Sequence, residues 1–132
     1  MYSVSVSRSF RATHFLTVPN PGPEGTAHAH DYTVDVRVGS KELNEYQYVV
    51  DIDRLEEGVE AIVDTYGNNL LNELPEFAGV NPSLEYFCRV IADQVQESLH
   101  ATNDHLEFIE ITMWEDDVAN ATYRMKLAAE AD

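Results

Sequence analysis

Residues 28–38 read HAHDYTVDVRV, and the architecture of the chain follows from this run. From Asp31 onward polar and apolar side chains alternate, so one face of the run consists of Tyr32, Val34, Val36 and Val38. Alternation with a period of two is the pattern of a β-strand that buries one face. The run therefore predicts a strand of a half-buried sheet that ends at Gly39-Ser40, and its two histidines lie where a loop becomes this strand.

The N-terminal residues show the same alternation. Val4 and Val6 alternate with serines, and the pattern reaches about Ala12, which predicts a first strand. Residues 18–25, VPNPGPEG, contain three prolines and two glycines, a composition that is typical of a loop. We expect the two strands to pair as an antiparallel hairpin with this long connection.

The middle of the chain changes to the period of a helix. Apolar residues mostly three or four apart predict a first helix over residues 52–66. Asp51 or Asp53 opens this helix, and Gly67-Asn68-Asn69 ends it. A second helix is predicted from Pro82-Ser83, and its apolar face consists of Leu84, Phe87, Cys88, Ile91, Ala92, Val95 and Leu99.

Strand patterns return in the last third of the chain. One strand is predicted from Leu106 to Trp114 and another from Ala121 to Leu127, with Asp116-Asp117 in the turn between them. The order ββααββ predicts an α+β fold, a four-stranded antiparallel sheet with both helices on one face. Since the chain has 132 residues, we expect a single domain over residues 1–132.

The charge of the chain excludes two classes of partner. Eight Lys and Arg residues oppose 24 Asp and Glu residues, which gives a formal net charge of −16. This charge repels phosphate backbones and anionic lipid, so we expect neither nucleic acid nor a membrane as a partner. No apolar run approaches the ~20 residues that span a bilayer, and the N-terminus does not resemble a signal peptide. We therefore predict a cytoplasmic protein.

Three histidines form a candidate metal site. His28 and His30 are two residues apart in a strand, so their imidazoles can face one ion. His14 ends the first strand, and hairpin pairing brings it beside the other two. Three neutral imidazoles with an open fourth position are the ligands of catalytic zinc, although most such histidine pairs are solvated or packed side chains. Cys88 is not expected as a ligand because it shares the apolar face of a helix.

Six segments, in order along nearly the whole chain, carry a resemblance to a known family. They are residues 10–15 (FRATHF), 28–32 (HAHDY), 49–55 (VVDIDRL), 71–72 (LN), 81–85 (NPSLE) and 114–115 (WE). The chain resembles the 6-pyruvoyl-tetrahydropterin synthase and 6-carboxy-tetrahydropterin synthase family. The resemblance implies the tunnelling fold, in which three protomers close their sheets into a barrel and two trimers stack into a homo-hexamer. It also implies zinc on His14, His28 and His30, which holds the side-chain hydroxyls of a dihydropterin substrate.

The resemblance assigns two acidic residues to the substrate pocket. Glu115 matches the glutamate that anchors the pterin ring, and Glu85 matches a second residue of that pocket. A buried carboxylate can accept two N–H bonds from the amino-pyrimidine edge of a pterin. On the sequence alone, Glu115 is equally a solvated acid beside a turn. Glu85 is favoured in the first turn of a helix by the helix dipole, whatever else it does.

The chain departs from the family at three catalytic positions. The usual cysteine four residues before the first histidine of the HxH motif is Glu24, and the usual Asp-His pair is Gly67 and Asn68. Neither Gly67 nor Asn68 can exchange a proton near neutral pH. Glu24 is either a solvated loop residue or a general base beside a zinc-bound hydroxyl. Asp104-His105 repeats the missing dipeptide, but far from the expected place, and is interpreted as a coincidence.

The resemblance and its departures together leave two functions open. The first is a zinc-dependent pterin lyase that acts on a 7,8-dihydroneopterin-type substrate with a non-standard catalytic set, in which Glu24 moves the proton. The alternative is a pterin-binding member of the family without the standard lyase activity. A purely structural zinc site is disfavoured, because such a site has no use for Glu85 and Glu115 and fills its fourth position with protein.

Overall fold

A computed structural model of the chain describes residues 1–99 and 105–127. The predicted order ββααββ is confirmed. The elements are β1 (Tyr2–His14), β2 (His28–Ser40), α1 (Ile52–Tyr66), α2 (Leu84–Leu99), β3 (Phe108–Glu115) and β4 (Ala119–Lys126). Three short 3-10 turns connect them, at Gly22–Gly25, Leu71–Glu73 and Pro75–Phe77.

The four strands form one antiparallel sheet in the order β1-β2-β3-β4. The register places Val6 opposite Val36 and Val36 opposite Ile111, so the apolar side chains of neighbouring strands share one face. Both helices contribute to the core that covers this face, since α1 buries Leu55, Val59 and Ile62, and α2 buries Phe87, Cys88 and Ile91 among others. The other face of the sheet carries the polar residues of the alternation.

The strand boundaries differ from those that the sequence predicts. β1 ends at His14, as predicted, although its alternation reaches only about Ala12, and β2 begins at His28, before its alternation returns at Asp31, because the two strands stay paired up to His14 and His28. β3 begins two residues later than Leu106, and β4 begins at Ala119 instead of Ala121. These ends of β1 and β2 matter for function, because the residues beyond the apolar alternation include the three histidines.

A side-chain cap and a glycine set the two ends of α1. The Asp51 carboxylate accepts a hydrogen bond from the Asp53 backbone N–H at 3.0 Å and caps α1. At the other end the Gly67 N–H donates to the Val63 carbonyl oxygen at 2.7 Å, and a Cβ at Gly67 would lie only 2.6 Å from that oxygen. Asn68 then donates its N–H to the Arg11 carbonyl oxygen, so the end of α1 is attached to the edge of β1.

Within residues 1–99 and 105–127, no helix has the length and apolar character that crossing a membrane requires.

Candidate active site

The hairpin of β1 and β2 brings the three histidines together. His14 lies directly opposite His28 in the register, and His30 follows two residues later on the same face of β2. One potential ligand atom from each ring lies within 4.8 Å of those of the other two. The site is thus built on the paired ends of two strands.

Each imidazole is held through its Nδ1 atom. His14 Nδ1 donates to the Pro82 carbonyl oxygen at 3.0 Å, and His28 Nδ1 donates to the Thr26 carbonyl oxygen at 2.8 Å. His30 Nδ1 is bonded to the carboxylate of Asp116. A carbonyl oxygen only accepts, so the proton of His14 and of His28 lies on Nδ1 and leaves the Nε2 lone pair available.

The free nitrogen atoms fit a metal ion. The Nε2 atoms of His28 and His30 are buried, and neither has a hydrogen-bond partner in the described part of the chain. A buried polar atom without a partner costs free energy, which a coordinated cation would offset. Three imidazoles that present Nε2, each fixed through Nδ1, form a donor set that suits zinc.

Two groups at the site, His14 and Asp116, have lowered pKa values. Burial lowers the pKa of His14 below its ordinary value, an effect that neighbouring His28 and His30 reinforce and the hydrogen bond to the Pro82 carbonyl opposes. A lowered pKa keeps the His14 ring neutral at pH 7, which metal binding requires. The hydrogen bond from His30 is the main cause that lowers the pKa of Asp116, and this carboxyl is therefore ionised at neutral pH.

A cavity of about 550 Å³ lies beside His14. All three acidic candidates from the sequence line it, although they come from different elements: Glu24 from the turn Gly22–Gly25, Glu85 from the first turn of α2, and Glu115 from the end of β3. Glu115 also reaches the histidines, since its Oε1 lies 3.7 Å from His30 Nε2. The structure thus brings the predicted acids and the predicted metal ligands to one place.

Two asparagines fix the loops around this cavity. The Asn72 side chain bonds to both the N–H and the carbonyl oxygen of Phe15, and the Asn81 Oδ1 accepts from the Thr17 N–H at 2.8 Å. The roles of Asn72, Asn81 and Asp116 were not predicted from the sequence. A signal was present for the first two, because Leu71-Asn72 and Asn81-Pro82 belong to the segments that carry the family resemblance.

The remaining residues that the sequence singled out either do not line the cavity or lie outside the described residues. Gly67 and Asn68 lie at the end of α1 against β1 and do not line it. Asp104 lies outside the described residues. Its neighbour His105 donates from Nε2 to the Val49 carbonyl oxygen at 2.8 Å.

Comparison with known proteins indicates the same family as the six sequence segments. The family model of 6-pyruvoyl tetrahydropterin synthase matches residues 3–126. A curated relative, the 6-carboxy-5,6,7,8-tetrahydropterin synthase of Bacillus subtilis, is 25% identical over 131 residues, which cover 95% of this chain and 88% of the relative.

Solved structures share the fold. A catalytic-residue mutant of Plasmodium vivax 6-pyruvoyltetrahydropterin synthase superposes with a TM-score of 0.79 at 18% identity, over 96% of this chain and 98% of that one. The Caenorhabditis elegans 6-pyruvoyl tetrahydropterin synthase gives a TM-score of 0.76 at 19% identity, over 96% and 98%. This likeness confirms the predicted tunnelling fold. With nearly its whole length matched by the family model, the chain belongs to the 6-pyruvoyl tetrahydropterin synthase family.

Proposed function

We propose that this chain is a zinc-dependent pterin lyase that acts on a 7,8-dihydroneopterin-type substrate, with Glu24 in place of the family's usual proton-transfer group. One observation carries the proposal. The buried Nε2 atoms of His28 and His30, which have no hydrogen-bond partner among the described residues, lie together with His14, and His14 borders a cavity that three glutamates line. Metal ligands next to a cavity are the arrangement of a catalytic site, not of a structural one.

The three histidines would hold the zinc ion through their Nε2 atoms. When bound, zinc supplies a Lewis acid that polarises a substrate oxygen and acidifies a substrate hydroxyl. The carbonyl oxygens of Pro82 and Thr26 contribute by fixing the tautomers of His14 and His28, so that Nε2 of each ring would be free to bind the ion.

Glu115 and Glu85 are proposed to bind the pterin ring. Glu115 lies at the end of β3 beside His30, with its side chain about three-quarters buried. A carboxylate in this position can accept two parallel N–H bonds from the amino-pyrimidine edge of the ring. Glu85 lines the same cavity from the start of α2. Together they would orient the substrate side chain toward the histidines and Glu24.

Glu24 is proposed to act as the general base of a retro-aldol cleavage. Its carboxylate removes the proton of the 2′-hydroxyl, a C2′=O double bond forms, and the C1′–C2′ bond breaks. The electron pair of that bond passes into the conjugated pterin ring, and a proton is then returned to C1′. The products are 6-hydroxymethyl-dihydropterin and a two-carbon aldehyde, so the step needs no oxidant or reductant. A catalytic glutamate also occurs in the Plasmodium vivax 6-pyruvoyltetrahydropterin synthase, which is a precedent for a glutamate in such a role.

One observation favours the alternative, a pterin-binding protein without the standard activity. Gly67 and Asn68 replace the acid/base pair of the family, and the end of α1 is adapted to them. A side chain at position 67 would meet the Val63 carbonyl oxygen, and Asn68 adopts a positive φ of 62°. The chain therefore offers no proton-transfer group there, and any turnover depends on Glu24.

We also propose the homo-hexamer that the family resemblance implies. β1 and β4 are the two edges of the sheet, and an edge strand presents backbone groups that another chain can pair with. Pairing of β1 in one copy with β4 in the next would close three sheets into a barrel. The cytoplasmic location remains a prediction from the sequence.

The test is to identify the products of the zinc-loaded protein. It is incubated with 7,8-dihydroneopterin and, separately, with its triphosphate, and the products are analysed by mass spectrometry. We expect 6-hydroxymethyl-dihydropterin and no efficient formation of 6-pyruvoyl- or 6-carboxy-tetrahydropterin. Tight pterin binding without any product would establish the binding-protein alternative, and a protein that binds neither zinc nor pterin would refute both.

A further inference from the structure

The turn between β3 and β4 is bonded to the start of β2 through one residue, Asp116. Its backbone N–H donates to the Asp31 carbonyl oxygen at 2.8 Å, and its Oδ1 accepts from the Asp31 N–H at 2.8 Å. The second carboxylate oxygen, Oδ2, bonds to His30 Nδ1. Both oxygens of Asp116 are therefore used, one for the backbone of β2 and one for a candidate metal ligand.

This contact distinguishes His30 from the other two histidines. His14 and His28 are held by carbonyl oxygens of the backbone, whereas His30 is held by a side-chain carboxylate. A hydrogen bond to a charged acceptor is stronger than one to a neutral acceptor. It also raises the electron density of the imidazole, which makes Nε2 a better ligand for a cation.

The backbone conformation supports a specific role for Asp116. It has a φ of 52° and its neighbour Asp117 has a φ of 57°, and both values lie in the left-handed region that few residues adopt. Asp and Asn enter this region more readily than other non-glycine residues. The conformation of the turn and the hydrogen bond from the Asp31 N–H therefore place the carboxylate beside His30 without a metal ion.

We propose that Asp116 is a positioning residue for the metal site, which orients the His30 ring and strengthens its Nε2 as a ligand. The inference rests on the proposed function, because it concerns the affinity of the same histidines for zinc. The group that touches the metal is His30, and Asp116 acts through it. Because Glu115 precedes Asp116 directly, the same turn also sets the position of the proposed pterin anchor.

The experiment measures zinc affinity by competition with a chromophoric chelator for the wild type, Asp116→Asn and Asp117→Asn. Asp117→Asn is the matched control, because it removes one negative charge from the adjacent exposed residue and keeps an Asn in the left-handed conformation. We expect Asp116→Asn to weaken zinc binding by about 10- to 100-fold and Asp117→Asn to stay close to the wild type. Equal affinities for all three proteins would overturn the inference.

A double-mutant cycle separates this role from a general effect on folding. In a His30→Ala background, adding Asp116→Asn is expected to cause no further loss of zinc affinity, because the partner of Asp116 is gone. The melting temperature of the metal-free Asp116→Asn protein is expected to match that of Asp117→Asn. Additive losses of affinity, or a fall in metal-free stability that accounts for the loss, would contradict the positioning role. If the wild type binds no zinc at all, the proposed function falls and the inference falls with it.

Discussion

The side-chain amide of Asn72 is hydrogen-bonded to both the backbone N–H and the backbone carbonyl oxygen of Phe15. Its Oδ1 accepts from the Phe15 N–H at 2.9 Å, and its Nδ2 donates to the Phe15 carbonyl oxygen at 3.0 Å. Phe15 directly follows His14, so this pair attaches the loop after α1 to the end of the strand that carries a candidate metal ligand. The position of His14 therefore depends on a residue far from it in the sequence.

The first prediction concerns this pair. Asn72→Asp keeps an acceptor for the Phe15 N–H but loses the donor to the Phe15 carbonyl oxygen, and it places a carboxylate against that oxygen. We expect the free energy of unfolding of the metal-free protein to fall by about 1–3 kcal/mol, measured by urea denaturation. Asn44→Asp is the control, because Asn44 Oδ1 accepts from the Tyr46 and Tyr48 N–H groups and an aspartate keeps both bonds. An unchanged free energy of unfolding in Asn72→Asp would show that the two hydrogen bonds between Asn72 and Phe15 do not stabilise the fold.

The second prediction concerns metal content. Protein purified without chelators is expected to contain about one zinc ion per chain, as three histidines and one open position provide one site. His28→Ala and His30→Ala should each lose most of this zinc in elemental analysis, because two imidazoles hold the ion far less tightly than three. His105→Ala is the control, since His105 is bonded to the Val49 carbonyl oxygen away from the site. Full zinc content in His28→Ala would exclude the three-histidine site.

The third prediction concerns the cysteine. Burial raises the pKa of Cys88 to about 12, and its side chain is fully buried between α2 and the sheet. Because the thiolate is the reactive form, we expect no reaction with a thiol reagent at pH 8 in the native protein and one equivalent after unfolding in denaturant. Zinc content should be the same in Cys88→Ala, which tests the expectation that Cys88 is not a ligand. Rapid labelling of the native protein would contradict the buried position.

The secondary structure could be predicted because local patterns determine it. Alternating valines predicted β2, and the spacing of apolar residues predicted α1 with Asp51 or Asp53 at its start, of which Asp51 is the N-cap. The apolar alternation stops short of the ends of β1 and β2, because histidines occupy inward positions there, where the pattern expects apolar residues. A metal site replaces core residues with polar ones, so a pattern based on hydrophobicity stops where the site begins.

The contacts that orient the histidines could not be predicted in this way. His30 and Asp116 are separated by 86 residues, and their contact depends on the left-handed turn that follows β3. His14 is held by the carbonyl oxygen of Pro82, which any residue type would offer. Every residue has a backbone carbonyl oxygen, so the sequence does not indicate which one accepts a given hydrogen bond. The geometry of a turn likewise depends on how the strands pair. The shared cavity of Glu24, Glu85 and Glu115 was expected only through the family resemblance.

The central claim is that Glu24 moves the proton beside the histidine site, and one comparison of rates tests it most directly. Glu24→Gln and Glu45→Gln are each loaded with zinc to the wild-type content, and the formation of 6-hydroxymethyl-dihydropterin from 7,8-dihydroneopterin is followed by mass spectrometry. Glu45 is an exposed residue in the connection after β2, at the end of that strand opposite to His28. We predict that Glu24→Gln lowers the rate by roughly 10²-fold or more while Glu45→Gln retains the wild-type rate. A Glu24→Gln protein that forms 6-hydroxymethyl-dihydropterin as fast as the wild type would contradict the role of Glu24 as general base. Glu24 would then be a solvated loop residue.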